Sequence, residues 1–398
     1  MNRHRTTHHQ LPSARQPHAL SRRRLIGAGA ALLASGAAGC GQVSRTVVEP
    51  PATLPLVIST PGEVPGYSAG NTWQGWTLRV AVAGDAVHDA IMASVAEPFA
   101  AATGCTIEPH VTDYNQFATS VEEGEPYVDV AVVDPLWAIQ ARAENLLLPI
   151  DRTMFRNQEI DLFDSDRSSV PGYAYAMVNA RRRRVISPFT SSPDDWTEWW
   201  NAETYPGPRA LMKGALGTFE FALMADGVAP DDLYPLDYER AIASLRRISG
   251  RVVNRWWEAA YQPLDWLSSG FAEYSSAWSH RLWLAVQVGA PVDWFWDRGL
   301  LTADRWVVPD GMLMPELAFD FIQYATQPAV QAALARTAGL GPVTSRSFAE
   351  IDPRLAQRLP TSPENLPLLV RQDILWWSEH EVEANQWFND WLLGVANV

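Results

Sequence analysis

The chain has 398 residues, 47% of them apolar and 19% charged, with 31 basic and 45 acidic side chains and a net charge of −14. That composition suits a globular protein long enough for two domains, and it excludes a disordered tail, a collagen-like repeat and a small disulfide scaffold, since Gly and Pro are not periodic and there are only two cysteines. The charge is unevenly divided: six arginines (Arg3, Arg5, Arg15, Arg22, Arg23, Arg24) precede residue 40 with no acid among them, leaving −20 on residues 40–398, where Lys213 is the only lysine. So acidic a surface repels phosphate backbones and anionic headgroups, and no nucleic-acid partner is expected. All 18 tryptophans lie after residue 72; such residues either fill a core or present flat faces to a ligand.

Residues 21–40 run from Ser21 and three arginines through an uncharged apolar stretch at 25–38 to Gly39-Cys40. The stretch is too short to span a bilayer, and the order basic, apolar, small is that of an export signal. Ser21-Arg-Arg-Arg-Leu-Ile26 resembles a twin-arginine signal, and Ala37-Ala38-Gly39-Cys40 resembles a lipobox whose Cys40 receives a diacylglycerol; plain cleavage near Ala38 is the alternative. The protein is therefore expected outside the cytoplasm, in the periplasm or at the cell surface, touching membrane through a lipid anchor only. Residues 1–39 form the signal, and 40–75, with five prolines between Pro50 and Pro65, form a tether. With Cys40 acylated, Cys105 has no partner and reads as a small buried hydrophobe.

The mature chain then alternates strand and helix. A strand at 78–82 precedes a helix with Ile91, Val95 and Phe99 on one face, ended by Gly104. Strands follow at 106–111 and 127–133, separated by an amphipathic segment at 114–121, and Asp134-Pro135 opens a helix at 136–143. The pattern recurs with a strand at 209–212, helices at 218–225 and 236–248, short strands near Ser276-Ala277-Trp278 and Arg305–Pro309, and a helix at 315–324. Alternation of this kind implies α/β architecture, with ligands beyond the carboxyl ends of parallel strands, which makes Gly84-Asp85 and Asp134 candidates by position. Asp134 is also suited to cap the helix that follows it. The Lys213–Gly217 turn offers backbone N–H groups before a helix, an anion-binding geometry. The C-terminal helix carries Trp376-Trp377 and puts Trp387 and Trp391 on one packing face, and the basic run 181–184 reads as a solvated loop.

From about Leu78 to Leu393 the chain resembles the extracellular solute-binding proteins of ABC importers, in particular the spermidine/putrescine-binding branch. The resemblance rests on the order and spacing of Pro98-Phe-Ala-Ala-Ala-Thr-Gly104, Tyr127-Val-Asp-Val-Ala-Val-Val-Asp134, Glu144-Asn-Leu-Leu-Leu-Pro-Ile-Asp151, Val170-Pro-Gly-Tyr-Ala-Tyr175, Thr218-Phe-Glu-Phe-Ala-Leu223, Ala277-Trp278, Asp304-Arg-Trp-Val-Val-Pro309, Asp373-Ile-Leu-Trp-Trp377 and Trp387-Phe-Asn-Asp-Trp391. It implies a two-lobe periplasmic binding protein fold of type II, each lobe a mixed sheet flanked by helices and joined by hinge crossings, with lobe 1 at 76–178 and 278–330 and lobe 2 at 179–277 and 331–398. It also implies a monomer that captures a small solute, a polyamine or other organic cation, for delivery to the transmembrane subunits of an ABC permease. A sugar, a small anion or a sensing role without transport is the alternative.

By the same resemblance Asp304 is an amine-binding carboxylate and Trp278 a cleft tryptophan, while Tyr173 and Tyr175 lie on the first crossing. Asp85, Asp134, Gly214 and Gly217 complete the expected ligand-binding set. Several family positions are changed: two carboxylates fall on Gly214 and Gly217, and a tryptophan two places before Asp304 becomes Thr302. No enzyme, metal or cofactor is expected, because His88, His110, His280 and His380 lack metal-ligand spacing and no nucleophile elbow or phosphate-binding loop occurs.

Overall fold

A computed structural model describes residues 72–84, 86–150, 160–183, 193–250 and 253–394. Asp85, Cys40 and the export signal lie outside the described residues. The first portion contains β1 (Thr77–Val82), α1 (Ala86–Ile91), a π turn at Met92–Ala96, α2 (Glu97–Thr103), β2 (Thr106–Val111), α3 (Tyr114–Glu122), β3 (Val130–Val133) and α4 (Pro135–Ala143). There follow β4 (Ser169–Arg182), α5 (Trp196–Trp200), β5 (Arg209–Met212), α6 (Thr218–Ala225), α7 (Tyr238–Ile248), β6 (Val253–Trp257), α8 (Gln262–Ser269), β7 (Tyr274–Trp278), α9 (Ser279–Gln287) and β8 (Val292–Val307). The last portion contains α10 (Pro315–Ala325), α11 (Pro328–Ala338), α12 (Pro353–Ala356), β9 (Val370–Arg371) and α13 (Ile374–Leu392).

The strands join in one mixed sheet in the order β2-β1-β3-β8-β4-β7-β5-β6, with β9 beside β8. Strand β1 is parallel to β2 and β3, and β5 is parallel to β6 and β7, so each end of the sheet is a small parallel unit. The antiparallel pair β4 and β8 links the two units. Near β1 both faces of the sheet are covered. Leu78, Val80, Val82, Val130 and Val132 pack with Ile91, Val95, Phe99 and Phe321 on one side, while Ala81, Ala131 and Val133 pack with Phe117 and Ala138 on the other. This is the two-residue alternation of strands buried on both faces. Ile91, Val95 and Phe99 are fully buried, as their helical spacing predicts, and Gly104 ends α2 with φ of 80°.

A second core gathers Trp196, Trp199, Phe219, Phe221, Leu245, Trp257, Leu282, Trp377 and Phe388 around β5 and β7. Most of the tryptophans are thus core residues, with Trp387 and Trp391 packed against this cluster as their shared helix face predicts. Cys105 is buried in the first core; Thr103 Oγ1 donates to its sulfur at 3.4 Å, and burial pushes the thiol up, which favours its protonated form.

Two long strands were only partly legible. Arg305–Pro309 is not a short strand of its own: its first three residues are the end of the 16-residue β8, which sequence periodicity misses because Asp297-Arg298-Gly299 interrupts the pattern and Arg298 takes φ of 51°. The run at 181–184 is also not simply a solvated loop. Arg181 and Arg182 end β4, and Arg181 lies 3.5 Å from Asp293 and 4.3 Å from the Phe295 ring centre; Arg184 is outside the described residues. Along β4, Val170 and Tyr173 belong to the first core, whereas Ala176, Met177 and Val178 belong to the second. Along β8, Trp294 and Leu300 belong to the second core and Trp306 to the first. The chain therefore changes cores near Tyr175 on β4 and between Leu300 and Trp306 on β8. Helix α9 packs with the second core through Leu282 and Trp283, so residues just after 278 remain with that half.

Candidate functional site

The register of β4 against β8 assembles the centre of the molecule. Tyr173 stands opposite Asp304, Tyr175 opposite Thr302, and Met177 opposite Leu300. Directly opposed residues of antiparallel strands share a face, and residues two apart stay on it, so these six side chains form one stripe where the chain passes between cores. The Tyr173 hydroxyl donates to Asp304 Oδ2 at 2.9 Å and the Tyr175 hydroxyl donates to Oδ1 at 2.7 Å. Arg305, next in sequence, alternates to the opposite face of the strand, where it donates to Ser169 Oγ and Asp164 O.

Trp278 ends β7 opposite Met177 and is half-buried, with its ring edge-on to Tyr175 at 5.2 Å. His280 also contacts the Tyr175 ring, at 5.1 Å. A cation above this surface meets two carboxylate oxygens and electron-rich ring faces together, the combination that binds organic ammonium groups.

Asp134 follows the carboxyl end of β3 and caps α4, accepting from the N–H groups of Leu136 at 2.8 Å and Trp137 at 3.3 Å. It is exposed to water, yet surrounding protein desolvates the carboxyl and raises its pKa, against the lowering effect of those two bonds. Tyr114, the first residue of α3, accepts from the Asp134 N–H at 3.1 Å and stacks on Trp137 at 4.8 Å. Desolvation, with the charges of Asp134 and Asp304, pushes its hydroxyl up to about 12. Burial and the same two carboxylates raise Tyr175, so Asp134 and Asp304 act on one set of aromatic side chains. From the other half, α13 packs on α4 and brings Glu381 to Gln140; desolvation and then the charge of Asp134 raise Glu381.

The expected cap role of Asp134 separates cleanly from its charge. Asp134→Ala should cost about 1 kcal/mol of stability through loss of the cap, whereas Asp134→Asn, which keeps an acceptor oxygen, should stay within about 0.5 kcal/mol of the parent in urea denaturation.

The glycine turn is less open than sequence suggests. Gly217 has φ of 78°, and a Cβ there would lie 2.9 Å from Met177 Sδ, so the turn does rest on the central stripe. Its N–H donates to Glu220 Oε2 at 2.8 Å, however, and the Ala215 N–H donates to Asn385 Oδ1 at 3.0 Å. Gly214 lies near Asn385, and Lys213 pairs outward with Glu258 at 2.7 Å. With those donors already used by the protein, the expected anion cradle is not present in that form.

Sequence reasoning passed over Tyr114, His280 and Glu381. Tyr114 lies just beyond the carboxyl end of β2, so the rule that singled out Asp134 applies to it equally. A separate hollow of about 520 Å³ lies at the opposite, amino ends of β1 and β3, lined by Trp76, Arg79, Asp129 and Leu313, and contains none of the residues above. No cluster of three metal-ligating side chains occurs among the described residues, and no described helix is long and apolar enough to cross a membrane.

Residues 94–360 match the family described as bacterial extracellular solute-binding protein. A gamma-aminobutyric acid-binding protein of Pseudomonas aeruginosa is 30% identical over 340 residues, covering 82% of this chain and 93% of that protein. A solved ABC transporter substrate-binding protein from Bradyrhizobium japonicum is 27% identical with a TM-score of 0.74, covering 80% of this chain and all (100%) of the other. A solved GABA receptor is 30% identical with a TM-score of 0.70, covering 79% and 97%. The fold is the mixed α/β, type II periplasmic binding protein architecture that the sequence resemblance implies. The relatives at 30% identity are named for gamma-aminobutyric acid rather than for a polyamine. The chain belongs to the bacterial extracellular solute-binding protein family of ABC importers.

Proposed function

We propose that the protein captures gamma-aminobutyric acid, or an amino acid of similar length with its amine at the far end, in the recess between its two lobes, and delivers it to an ABC permease. The observation that carries this reading is Asp304, held by the hydroxyls of Tyr173 and Tyr175 beside the ring of Trp278. Asp134 adds a second carboxylate, and relatives named for the same ligand support the choice. In this reading Asp134, Asp304, Tyr173, Tyr175 and Trp278 contact the ligand, and Gly217 closes the floor beside Met177. The lobes meet where β4 and β8 change cores, so the stripe that binds the ligand is also the hinge region. Export through the signal at 1–39 and acylation of Cys40 would hold the domain at the membrane on the tether at 40–75.

A polyamine, implied by the sequence resemblance, differs by carrying a second ammonium group and no carboxylate. Thermal unfolding with gamma-aminobutyric acid, putrescine, spermidine and glucose separates these ligands. One that binds only the folded form stabilises it by about 2.7 kcal/mol at a hundred times its Kd. A rise in Tm with gamma-aminobutyric acid that exceeds the rise with putrescine is expected. A larger rise with either polyamine would return the assignment to the polyamine branch.

A further inference from the structure

We propose that Thr302 and the amino end of α9 recognise the carboxylate of the ligand, so that Asp304 and Thr302 together measure the distance between its two charged ends. This rests on the reading of the site as one for an amine-bearing acid and adds the anionic subsite which that reading lacks.

Thr302 is 7% exposed, and its hydroxyl has no hydrogen-bonding partner among the described residues. A buried hydroxyl left without a partner is costly, and such groups are uncommon unless something absent from the bare protein completes them. Its direction follows from the sheet. Opposite Tyr175 and two residues from Asp304 on β8, it faces the side on which Tyr173 and Tyr175 hold the carboxylate. Helix α9 begins at the same place. The ring of His280, in its first turn, meets Tyr175 at 5.1 Å, and Ser279 Oγ accepts from the Ala176 N–H at 3.1 Å, which fixes the helix end beside β4. The capping residue, Trp278, makes no side-chain capping bond. An amino end of this kind favours negative charge.

The spacing then sets a length. Two residues along a strand span about 7 Å. A ligand with its ammonium on Asp304 and its carboxylate on Thr302 must separate the two by a few methylene groups, as gamma-aminobutyric acid does. A shorter amino acid reaches only one of the two, and an amine without a carboxylate leaves the threonine hydroxyl uncompensated.

Calorimetric titration of the parent, Thr302→Val and Thr302→Ser with gamma-aminobutyric acid and with n-butylamine tests this. The valine variant keeps the shape and removes the hydroxyl. It should weaken gamma-aminobutyric acid about tenfold or more while leaving n-butylamine within about twofold, and the serine variant should restore most of the loss. The Tm of ligand-free Thr302→Val should equal or exceed that of the parent, because an unpartnered polar group has been removed; a hydroxyl with a structural role would lower it. Equal weakening of both ligands, or unchanged gamma-aminobutyric acid affinity, overturns the proposal. A parent protein that binds n-butylamine but not gamma-aminobutyric acid overturns it too, and a parent that binds neither overturns the whole reading of the site.

Discussion

Asp304→Asn is expected to weaken binding of gamma-aminobutyric acid by about 30- to 1,000-fold, the equivalent of about 2–4 kcal/mol for loss of one side of a buried, charge-assisted contact. The substitution preserves shape and retains one carbonyl oxygen for the tyrosine hydroxyls that now meet Oδ1 and Oδ2 at 2.7 and 2.9 Å. The folded state should therefore survive, and circular dichroism with a cooperative melt would establish that before affinity is measured by calorimetry. The size of the effect follows from the setting. Tyr173 is 1% exposed, and burial raises both the Asp134 carboxyl and the Tyr175 hydroxyl, so charge interactions there are screened less than at a surface. A variant that binds as tightly as the parent would remove Asp304 from the site.

The largest loss of stability is expected at Glu220, which sequence reading left inside an ordinary helix. This carboxylate is fully buried at the start of α6, where it accepts from the Gly217 N–H at 2.8 Å, the Trp377 indole at 2.8 Å and the Tyr234 hydroxyl at 2.9 Å. It thereby ties α6 to α13 across the second core. Glu220→Ala strands those three donors, two of them buried and the Tyr234 hydroxyl half-buried, and should cost about 3–5 kcal/mol in chemical denaturation. A loss below about 1 kcal/mol would mean the network relaxes onto other acceptors. Burial is also the main cause that raises the Glu220 carboxyl above its ordinary value of 4.5, against the lowering effect of its hydrogen bonds. The folded protein then holds this proton at pH values where the unfolded chain has released it. That share of stability is complete below 4.5 and is lost as pH rises through the folded value. Glu220→Gln, which cannot titrate, should therefore gain on the parent in relative stability as pH rises across that window.

Both variants bear on what could be read in the sequence. The strands at 78–82, 106–111 and 209–212 and the helices carrying Ile91, Val95 and Phe99, or Tyr238, Ile242 and Leu245, were legible because local periodicity and capping residues act over a few positions. The cap role of Asp134 was legible for the same reason. The length of β4 and β8 was not, since their pattern is broken by Asp297-Arg298-Gly299 and by residues serving two cores in turn. Thr302 was noticed only as the loss of a tryptophan, because nothing in its neighbours indicates that a strand more than 120 residues earlier sets Tyr175 opposite it. The glycine turn misled in the reverse direction. Its conformation was anticipated, but the acceptors for its N–H groups come from Glu220 and from Asn385, and the second of these is 170 residues away.

What the sequence determined by itself was the acidic charge balance, the α/β alternation and the solute-binding class. These depend on composition, local period and the order of segments, all of which survive without knowledge of distant contacts. What only the tertiary structure decided was the site: which carboxylate faces which tyrosine, which donors remain for a ligand and which are already used. Those facts depend on strand register and on side-chain geometry of a few tenths of an ångström between residues far apart in the chain, and hydrogen bonding at that range has no local signature.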